Sequence, residues 1–214
     1  MINVRKLVLP IAGLGTRLYP LTLKTPKALI LAQGRPLVDY VLDETRGTSI
    51  KEAILITNLE QKVFFDKYIL KAKKKFKFLD FQIRVQEKPL GTGDAVLPAK
   101  DLIKDEPFVF RFCDDILIAK KPVLDSLLKL HLKLQSTILS LRRVPKEQVS
   151  RFGVAGVRPL RGQRGVSRIF KIIEKPSVDK APSNLILIGA YILMPSLFQK
   201  IEILKKRLEG NLKN

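Results

Sequence analysis

Two glycines and two cations near the start of the chain have the types and spacing to hold a polyphosphate. Gly13 and Gly15 follow the short apolar run at residues 6–9, so a buried strand is predicted to lead into a glycine turn. Glycine lets the backbone come close to a ligand, and successive backbone N–H groups in such a turn form an anion-binding nest. Arg17 and Lys27 add two positive charges, and a planar guanidinium group suits phosphate oxygens. The segment therefore predicts a triphosphate site.

This glycine turn differs from the two common phosphate loops. Leu18 stands where the dinucleotide fingerprint needs a third glycine, and the Gly-Lys-Ser/Thr of a Walker loop is absent from the sequence. A bare Gly-x-Gly after a strand is more often a tight turn than a ligand site. The longer string from Gly13 to Lys27, which contains Gly-Leu-Gly-Thr-Arg and ends in Pro-Lys, is far more specific.

Two adjacent carboxylates, Asp114 and Asp115, directly follow the apolar run Phe108–Phe112. In a doubly wound sheet the carboxyl ends of the strands form the ligand crevice, and carboxylates there are suitable ligands for Mg²⁺. The dipeptide alone fits a capped turn equally well. Beside a triphosphate site it indicates a metal, because a divalent cation neutralises the charge of the transferred and leaving phosphates.

A second glycine turn follows the predicted strand that Gln86 closes. The amide of Gln86 carries a donor and an acceptor, which are enough to read a pyrimidine edge. Gly91 and Gly93 allow the backbone to lie close under a flat base. Alone, a Gly-Thr-Gly more often begins a helix. Together with the triphosphate segment it indicates a base pocket.

Four later residues could bind a phosphorylated sugar. The Glu174 carboxylate can accept hydroxyl groups while the adjacent Lys175 ammonium meets a phosphate, although the pair alone fits an ordinary ion pair at a strand end. Gly153 and Gly189 lie beside predicted strand residues, where backbone N–H groups could contact hydroxyls.

The sequence offers no nucleophile or general base. His131 lies on a leucine-rich predicted helix, and Cys113 is interpreted as a small apolar residue at a strand end. The predicted chemistry needs neither, because an incoming phosphate can itself attack while the protein positions and neutralises the reactants.

Short apolar runs alternate with longer amphipathic stretches up to about Val144, which predicts strand–helix units around a mainly parallel sheet. The strands are expected at Lys6–Leu9, Ala53–Thr57, Phe81–Gln86, Phe108–Phe112 and Thr137–Leu141. The helices are expected at Pro36–Thr45, Leu59–Lys73, Gly93–Ile103 and Lys121–Leu134.

After about Val144 the pattern changes to three strands without a long helix between them, at Phe152–Val157, Gly165–Ile173 and Leu185–Leu193. Such an insertion commonly forms a second, smaller sheet. A final helix is predicted over Ser196–Leu208, with Gly210 as its C-terminal cap. We therefore expect one α/β domain of residues 1–214, with a nucleotide-binding half to about residue 144 and a sugar-binding half, incomplete at its end, over 145–214.

Composition narrows the class of protein. A chain of 214 residues with 46% hydrophobic residues suits one globular domain. A single cysteine excludes an internal disulfide framework, and one histidine makes a structural zinc site improbable. No apolar run is long enough to span a membrane and no signal-peptide pattern is present, so a cytoplasmic protein with no membrane partner is expected.

The net charge of +20 is unusually high. Basic runs at Lys71–Lys77 and Lys205–Arg207 could bind nucleic acid through phosphate contacts. Solvated helix faces explain the same runs and are the favoured interpretation. A positive field would also raise the association rate of anionic substrates.

The motifs together resemble those of the sugar-1-phosphate nucleotidylyltransferases and, among them, the bacterial-type UTP–glucose-1-phosphate uridylyltransferases. The matching segments span most of the chain in the family's order: Ala12–Lys27, Gln86–Ala95, Asp105–Asp115, Val149–Val154, Ile173–Pro176 and Ala181–Leu185. The first is shared by all members, whereas Val-Ser-Arg-Phe-Gly and Ala-Pro-Ser-Asn-Leu favour the uridylyl branch.

The resemblance implies a Rossmann-like sheet with helices on both faces and a smaller added sheet. It implies Mg²⁺-dependent transfer of a uridylyl group from UTP to glucose 1-phosphate, giving UDP-glucose and pyrophosphate, by a homo-oligomer. Implied at the nucleotide are Ala12, Gly13, Gly15, Thr16, Arg17, Gln86 and Gly91. Implied at the sugar phosphate are Gly153, Glu174, Lys175 and Gly189. Implied catalytic residues are Arg17, Lys27, Lys175 and Asp114, the last of which would hold Mg²⁺.

Two alternatives stay open. A glucose-1-phosphate thymidylyltransferase has the same fold, and the connection between Asp66 and Gln86 is short, as in that branch. The second alternative is a catalytically silent subunit that binds nucleotide or nucleic acid. It stays open because the sequence stops at Asn214, before the family's Glu-Ile-Gln-Leu-Thr-Asp segment. The retained charges Arg17, Lys27, Asp114 and Lys175 favour the enzyme.

Overall fold

The computed structural model describes residues 3–87, 91, 93–119 and 122–211. The chain divides into two compact units. Unit 1 contains the residues up to Ile138 and those from Ala190 onward, and unit 2, Leu139–Gly189, is inserted between them. This division differs from the expected one at about residue 144, because the C-terminal segment groups with unit 1.

The described residues form ten strands and five α-helices. The strands are β1 Lys6–Pro10, β2 Leu31–Ala32, β3 Arg35–Pro36, β4 Glu52–Thr57, β5 Asp80–Val85, β6 Phe108–Arg111, β7 Ile138–Arg143, β8 Gly153–Pro159, β9 Ser167–Glu174 and β10 Leu185–Leu193. The helices are α1 Leu37–Asp43, α2 Lys62–Lys75, α3 Lys100–Ile103, α4 Val123–Leu134 and α5 Ser196–Asn211.

Unit 1 is built on a mainly parallel sheet, as predicted. Strands β5, β4, β1 and β6 pair in that order, all parallel. The end of β10 adds an antiparallel partner, with Ala190 opposite Arg111 and Leu193 opposite Phe108. Strands β2 and β3 form a separate two-stranded sheet.

Helices cover both faces of this sheet. Alternate side chains of β1 enter different cores, because successive residues of a strand point to opposite faces. Leu7 and Leu9 pack with residues of α1, α2 and α4, whereas Val8 packs with α3 and Phe198 of α5. The expected α/β layering is therefore confirmed.

Unit 2 contains the antiparallel pair β8–β9, which runs from Gly153 opposite Glu174 to Pro159 opposite Ser167, with a register shift between Gly156 and Val157. Ile186 of β10 pairs with Val154 on the other side of β8. A small apolar core of its own forms here, around Val144, Val149, Val154 and Ile186.

Two predicted helices differ in detail. The stretch expected as one helix over Gly93–Ile103 begins with a 3-10 segment, Asp94–Ala99, before α3. Pro98 lies inside that segment and lacks the N–H group that an α-helical hydrogen bond needs. The last helix passes through Gly210 to Asn211, so the predicted cap is wrong. Among the described residues, none of the helices has both the length and the apolar character to cross a membrane.

Candidate active site

A cavity of about 490 Å³ lies in unit 1 where β1, β5 and β6 end. The carboxyl ends of neighbouring parallel strands meet at one edge of the sheet, which is the usual ligand crevice of this architecture. The lining comes from segments that are distant in sequence: Pro10, Ile11, Ala12, Gly13, Lys27, Ala28, Gln86, Gly91, Ala95, Phe112, Cys113, Asp114 and Asp115. Six predicted site residues are thus brought together: Ala12, Gly13, Lys27, Gln86, Gly91 and Asp114.

The first glycine turn is folded tightly against Lys27. Gly15 has φ +64°, and a Cβ atom there would lie 2.9 Å from Thr22 Cγ2 and 3.1 Å from Lys27 Cβ. The Thr22 hydroxyl donates to the Gly15 carbonyl at 2.9 Å. The start of the turn is held by Asn58, whose side-chain N–H donates to the Ala12 carbonyl at 2.9 Å. The glycine is therefore needed to bring the turn and the lysine together.

Thr16 and Arg17 begin a 3-10 turn, Thr16–Leu18, directly after this glycine. Both side chains are exposed, and neither belongs to the cavity lining. Their contact with a triphosphate, and the role of Arg17 in transfer, stay predictions.

Lys27 and Asp114 form an ion pair at the cavity, through Lys27 Nζ and Asp114 Oδ2. The Asp114 side chain remains 41% exposed. The described part of the chain contains no group of three or more His, Cys, Asp or Glu residues that could hold a metal alone. Magnesium commonly takes one or two carboxylates and completes its ligands with phosphate oxygens and water, so this partly exposed carboxylate fits such an ion.

Arg111 supports the turn that carries the two aspartates. Its side chain is only 1% exposed, and Nε and Nη2 donate to the Glu44 carboxylate at 3.1 and 2.6 Å. Nη1 donates to the Asp115 carbonyl at 2.6 Å. The sequence analysis missed this residue, although an arginine within the apolar run Phe108–Phe112 was a visible signal.

Gln86 belongs to the same cavity lining and directly follows β5. Its backbone N–H donates to the Thr57 carbonyl at 2.7 Å, which continues the β4–β5 ladder. Its side-chain Nε2 donates to Asp94 Oδ2 at 3.1 Å, and Lys205 Nζ lies 3.1 Å from Asp94 Oδ1. Gly91 has φ +108°, a backbone conformation that favours glycine.

Two residues that were interpreted as structural are buried. Burial, and then the Asp114 charge, raise the pKa of the Cys113 thiol to about 12, so the thiol stays protonated at neutral pH. His131 is 1% exposed, and its Nδ1 lies 2.8 Å from the Ser136 carbonyl oxygen. Neither geometry supports a catalytic nucleophile or base.

Within unit 2, three of the predicted sugar-site residues are neighbours. Gly153 pairs with Glu174, and a Cβ atom at Gly153 would lie 3.0 Å from Glu174 Oε2. The Lys175 N–H donates to the Phe152 carbonyl at 3.0 Å, and Lys175 has φ +45°. Gly189 lies in β10. Glu174 and Lys175 are exposed at the end of β9.

The basic run near the end of α2 behaves as a solvated helix face. Lys71, Lys73 and Lys74 are exposed, and Lys75 Nζ donates to the buried Asp39 at 2.6 Å. Cations in the last turn of a helix are favoured by its dipole.

Solved structures share the fold. A crystal structure of UDP-glucose pyrophosphorylase complexed with UDP-glucose matches with a TM-score of 0.84 and 30% identity, over 93% of this chain and 79% of that one. A UTP-bound UGPase from Acinetobacter baumannii matches with a TM-score of 0.77 and 28% identity, over 92% and 76%.

Relatives in sequence cover most of the chain. UTP–glucose-1-phosphate uridylyltransferase of Bacillus subtilis is 31% identical over 220 residues, which are 94% of this chain and 75% of that protein. A protein of Methanocaldococcus jannaschii, whose name assigns the same activity provisionally, is 35% identical over 92% of this chain and 75% of its own length. The sequence also matches the nucleotidyl transferase family from residue 6 to residue 213. Since the match covers both units and the cavity at the strand ends, the chain belongs to the nucleotidyl transferase family.

Proposed function

We propose that this enzyme is a UTP–glucose-1-phosphate uridylyltransferase, which makes UDP-glucose and pyrophosphate. The observation that carries the proposal is the cavity of unit 1, where Lys27 and Asp114 lie in the same lining as Gln86. One cavity thus offers a cation for phosphates, a carboxylate for a metal and an amide for a base. Relatives that carry the same activity in their names match over most of the chain.

The transfer requires positioning and charge neutralisation rather than covalent catalysis. A phosphate oxygen of glucose 1-phosphate attacks the α-phosphorus of UTP, the bond to the bridging oxygen of the β-phosphate breaks, and pyrophosphate leaves. Backbone N–H groups of the turn at Gly13 and Gly15 bind the triphosphate, and Lys27 neutralises part of its charge. Arg17 contributes a second cation. Gln86 and Gly91 hold the base.

Asp114 would hold the divalent cation, which we infer to be Mg²⁺. Such an ion supplies charge stabilisation to the pyrophosphate as it departs. The Lys27–Asp114 ion pair keeps the carboxylate at the cavity, and the Lys27 ammonium would bind the phosphates beside it.

Unit 1 is thus proposed as the nucleotide-binding part and unit 2 as the part that binds glucose 1-phosphate. In unit 2, Glu174 would accept sugar hydroxyls, and Lys175 would meet the sugar phosphate. Gly153 and Gly189 would offer backbone groups without a side chain in the way. The substrates are phosphorylated metabolites, so we place the enzyme in the cytoplasm. Assembly into a homo-oligomer is proposed by analogy with the family.

The test is pyrophosphate release by the purified chain with Mg²⁺, glucose 1-phosphate and either UTP or dTTP. Turnover with UTP supports the proposal. A preference for dTTP of about tenfold or more assigns the enzyme to the thymidylyl branch. A hydrophobic pocket that accepts the thymine methyl group can supply discrimination of about 10–200-fold. Binding of UTP without turnover would make the chain a silent subunit and contradict the proposal.

A further inference from the structure

Gln86 of the cavity lining belongs to a hydrogen-bonded row of three side chains. Asp94 accepts from Gln86 Nε2 at its Oδ2 atom and from Lys205 Nζ at its Oδ1 atom, both at 3.1 Å. Gln86 is 7% exposed and the Asp94 side chain 15%. Each carboxylate oxygen therefore has its own donor, and α5 supplies one of them.

The Asp94 carboxylate fixes the orientation of the Gln86 side-chain amide. A carboxylate only accepts hydrogen bonds, so the NH₂ group of Gln86 must face Asp94. The oxygen and the nitrogen of a planar amide diverge from the same trigonal carbon, so the oxygen is directed away from the carboxylate. A half-turn of the amide would bring its oxygen against the negative charge. Asp94 takes one of the two N–H groups of Gln86, and the position of the acceptor oxygen that a ligand meets is thus fixed.

The fixed acceptor discriminates between pyrimidine bases. Uracil and thymine carry an N–H donor at N3, whereas cytosine has a lone pair there. We propose that Asp94, positioned by Lys205, makes the cavity select a nucleotide with an N3–H base and reject cytosine, by fixing the orientation of the Gln86 amide. The inference rests on the proposed function in one respect, that Gln86 faces the base.

The decisive variant is Asp94→Asn, which is nearly isosteric. Lys205 still donates a hydrogen bond at this position, so the oxygen of the introduced asparagine faces Lys205. The NH₂ group of that asparagine then faces Gln86. The Gln86 amide must then present its oxygen to that NH₂ and its own NH₂ to the base. The expected result is that the affinity for CTP rises while the affinity for UTP falls.

The measurement is calorimetric binding of UTP and of CTP, without acceptor sugar. We expect the unmodified enzyme to favour UTP by about 100-fold or more, because mispaired buried polar groups are rejected strongly. Asp94→Asn should lower the ratio of the affinity for UTP to the affinity for CTP, the UTP/CTP ratio, by about tenfold or more. Asp94→Ala removes the fixing partner without forcing the opposite orientation, so the ratio should fall by less than in Asp94→Asn. In turnover, the loss should lie in the KM for UTP, with kcat nearly unchanged.

Glu202→Gln is the matched control. Glu202 also lies on α5, but its ion pair is with Lys100 at 2.5 Å, whereas Asp94 pairs with Gln86 and Lys205. Its UTP/CTP ratio should match that of the unmodified enzyme. A general loosening of α5 would lower the ratio in this control as well, and that result overturns the proposal.

The remaining outcomes separate the two proposals. Absence of turnover with glucose 1-phosphate contradicts the uridylyltransferase assignment, but the binding ratio can still be measured. Equal affinity for UTP and CTP in the unmodified enzyme, or affinity for neither, overturns the role of Asp94. So does an unchanged ratio in both Asp94→Asn and Asp94→Ala.

Discussion

Arg111 and Glu44 form a buried ion pair that joins the residue after α1 to the turn carrying the aspartates. Two guanidinium nitrogens bind the carboxylate at 3.1 and 2.6 Å, and the third binds the Asp115 carbonyl at 2.6 Å. Removing a charge from water is costly, and loss of one partner leaves the other uncompensated. The pair therefore couples the stability of unit 1 to the placement of the turn that carries Asp114 and Asp115.

Glu44→Gln should strongly destabilise the protein, because it leaves the Arg111 charge buried without its counter-ion. We expect a loss of about 3–5 kcal/mol in the free energy of unfolding. Urea denaturation followed by circular dichroism measures it.

An exposed ion pair provides the comparison. Arg84 Nη2 and Asp101 Oδ2 are 2.9 Å apart, but the Asp101 side chain is 65% exposed. Asp101→Asn should therefore cost about 0–1 kcal/mol. Equal losses in the two variants would refute the claim that burial gives the Arg111 pair its importance.

Gly15→Ala should disturb the first glycine turn more than Gly13→Ala does. At Gly15 the backbone is left-handed and a methyl group would meet Thr22 and Lys27, whereas a Cβ at Gly13 would have no atom of the described residues within 4 Å. We expect Gly15→Ala to lower the free energy of unfolding by about 1–3 kcal/mol, and Gly13→Ala to change it by less than about 0.5 kcal/mol. Thermal unfolding tests both, and a larger loss in Gly13→Ala would contradict the geometry.

Asp114→Asn should reduce turnover by at least about 100-fold, since it removes a charged ligand from the proposed metal site. Nucleotide should still bind without metal, because the glycine turn, Lys27 and Gln86 are all retained. Steady-state pyrophosphate release against Mg²⁺ concentration is the measurement. Asp105→Asn, at an exposed position before β6, is the control with the same change of charge. Full activity in Asp114→Asn would exclude this carboxylate as the metal ligand.

The Cys113 thiol should make the protein less stable at alkaline pH. Its pKa is raised in the folded state from 9.0 to about 12, first by burial and then by the Asp114 charge. The stabilisation is complete below pH 9 and is lost as the pH rises towards 12, because only the unfolded thiol releases its proton in this range. Between pH 9 and 10, the protein should lose about 1 kcal/mol relative to Cys113→Ala. A pH-independent difference in urea denaturation would contradict this assignment.

The sheet of unit 1 was predictable because buried parallel strands are continuous apolar runs. The predicted Lys6–Leu9 and Ala53–Thr57 each lie within one residue of β1 and β4. Their order also placed the glycine turn, Gln86 and Asp114 at one edge of the sheet, where the cavity lies. Helix ends were less predictable. Gly210 does not stop α5, since a glycine is tolerated inside a helix at a cost of about 1 kcal/mol.

The supporting residues of the site were not predictable from local patterns. Arg111 occupies a strand position that apolar residues normally fill, and its partner Glu44 is 67 residues away in sequence. Asp94 and Lys205 are 111 residues apart. Pairs of this kind are defined only when the chain has folded, because no periodicity or spacing connects them.

The nesting of unit 2 within unit 1 has a consequence for biosynthesis. The residues of unit 2 are all translated once the ribosome has passed Gly189. Unit 1 is completed later than unit 2, because β6 gains its antiparallel partner from Ala190–Leu193. Phe108 also stacks on Phe198 of α5, with ring centroids 5.6 Å apart. The unit that holds the cavity is therefore completed only after residues 190–198 have been added, at about 5–20 residues per second. The inserted unit can thus fold on the ribosome before the unit that holds the cavity.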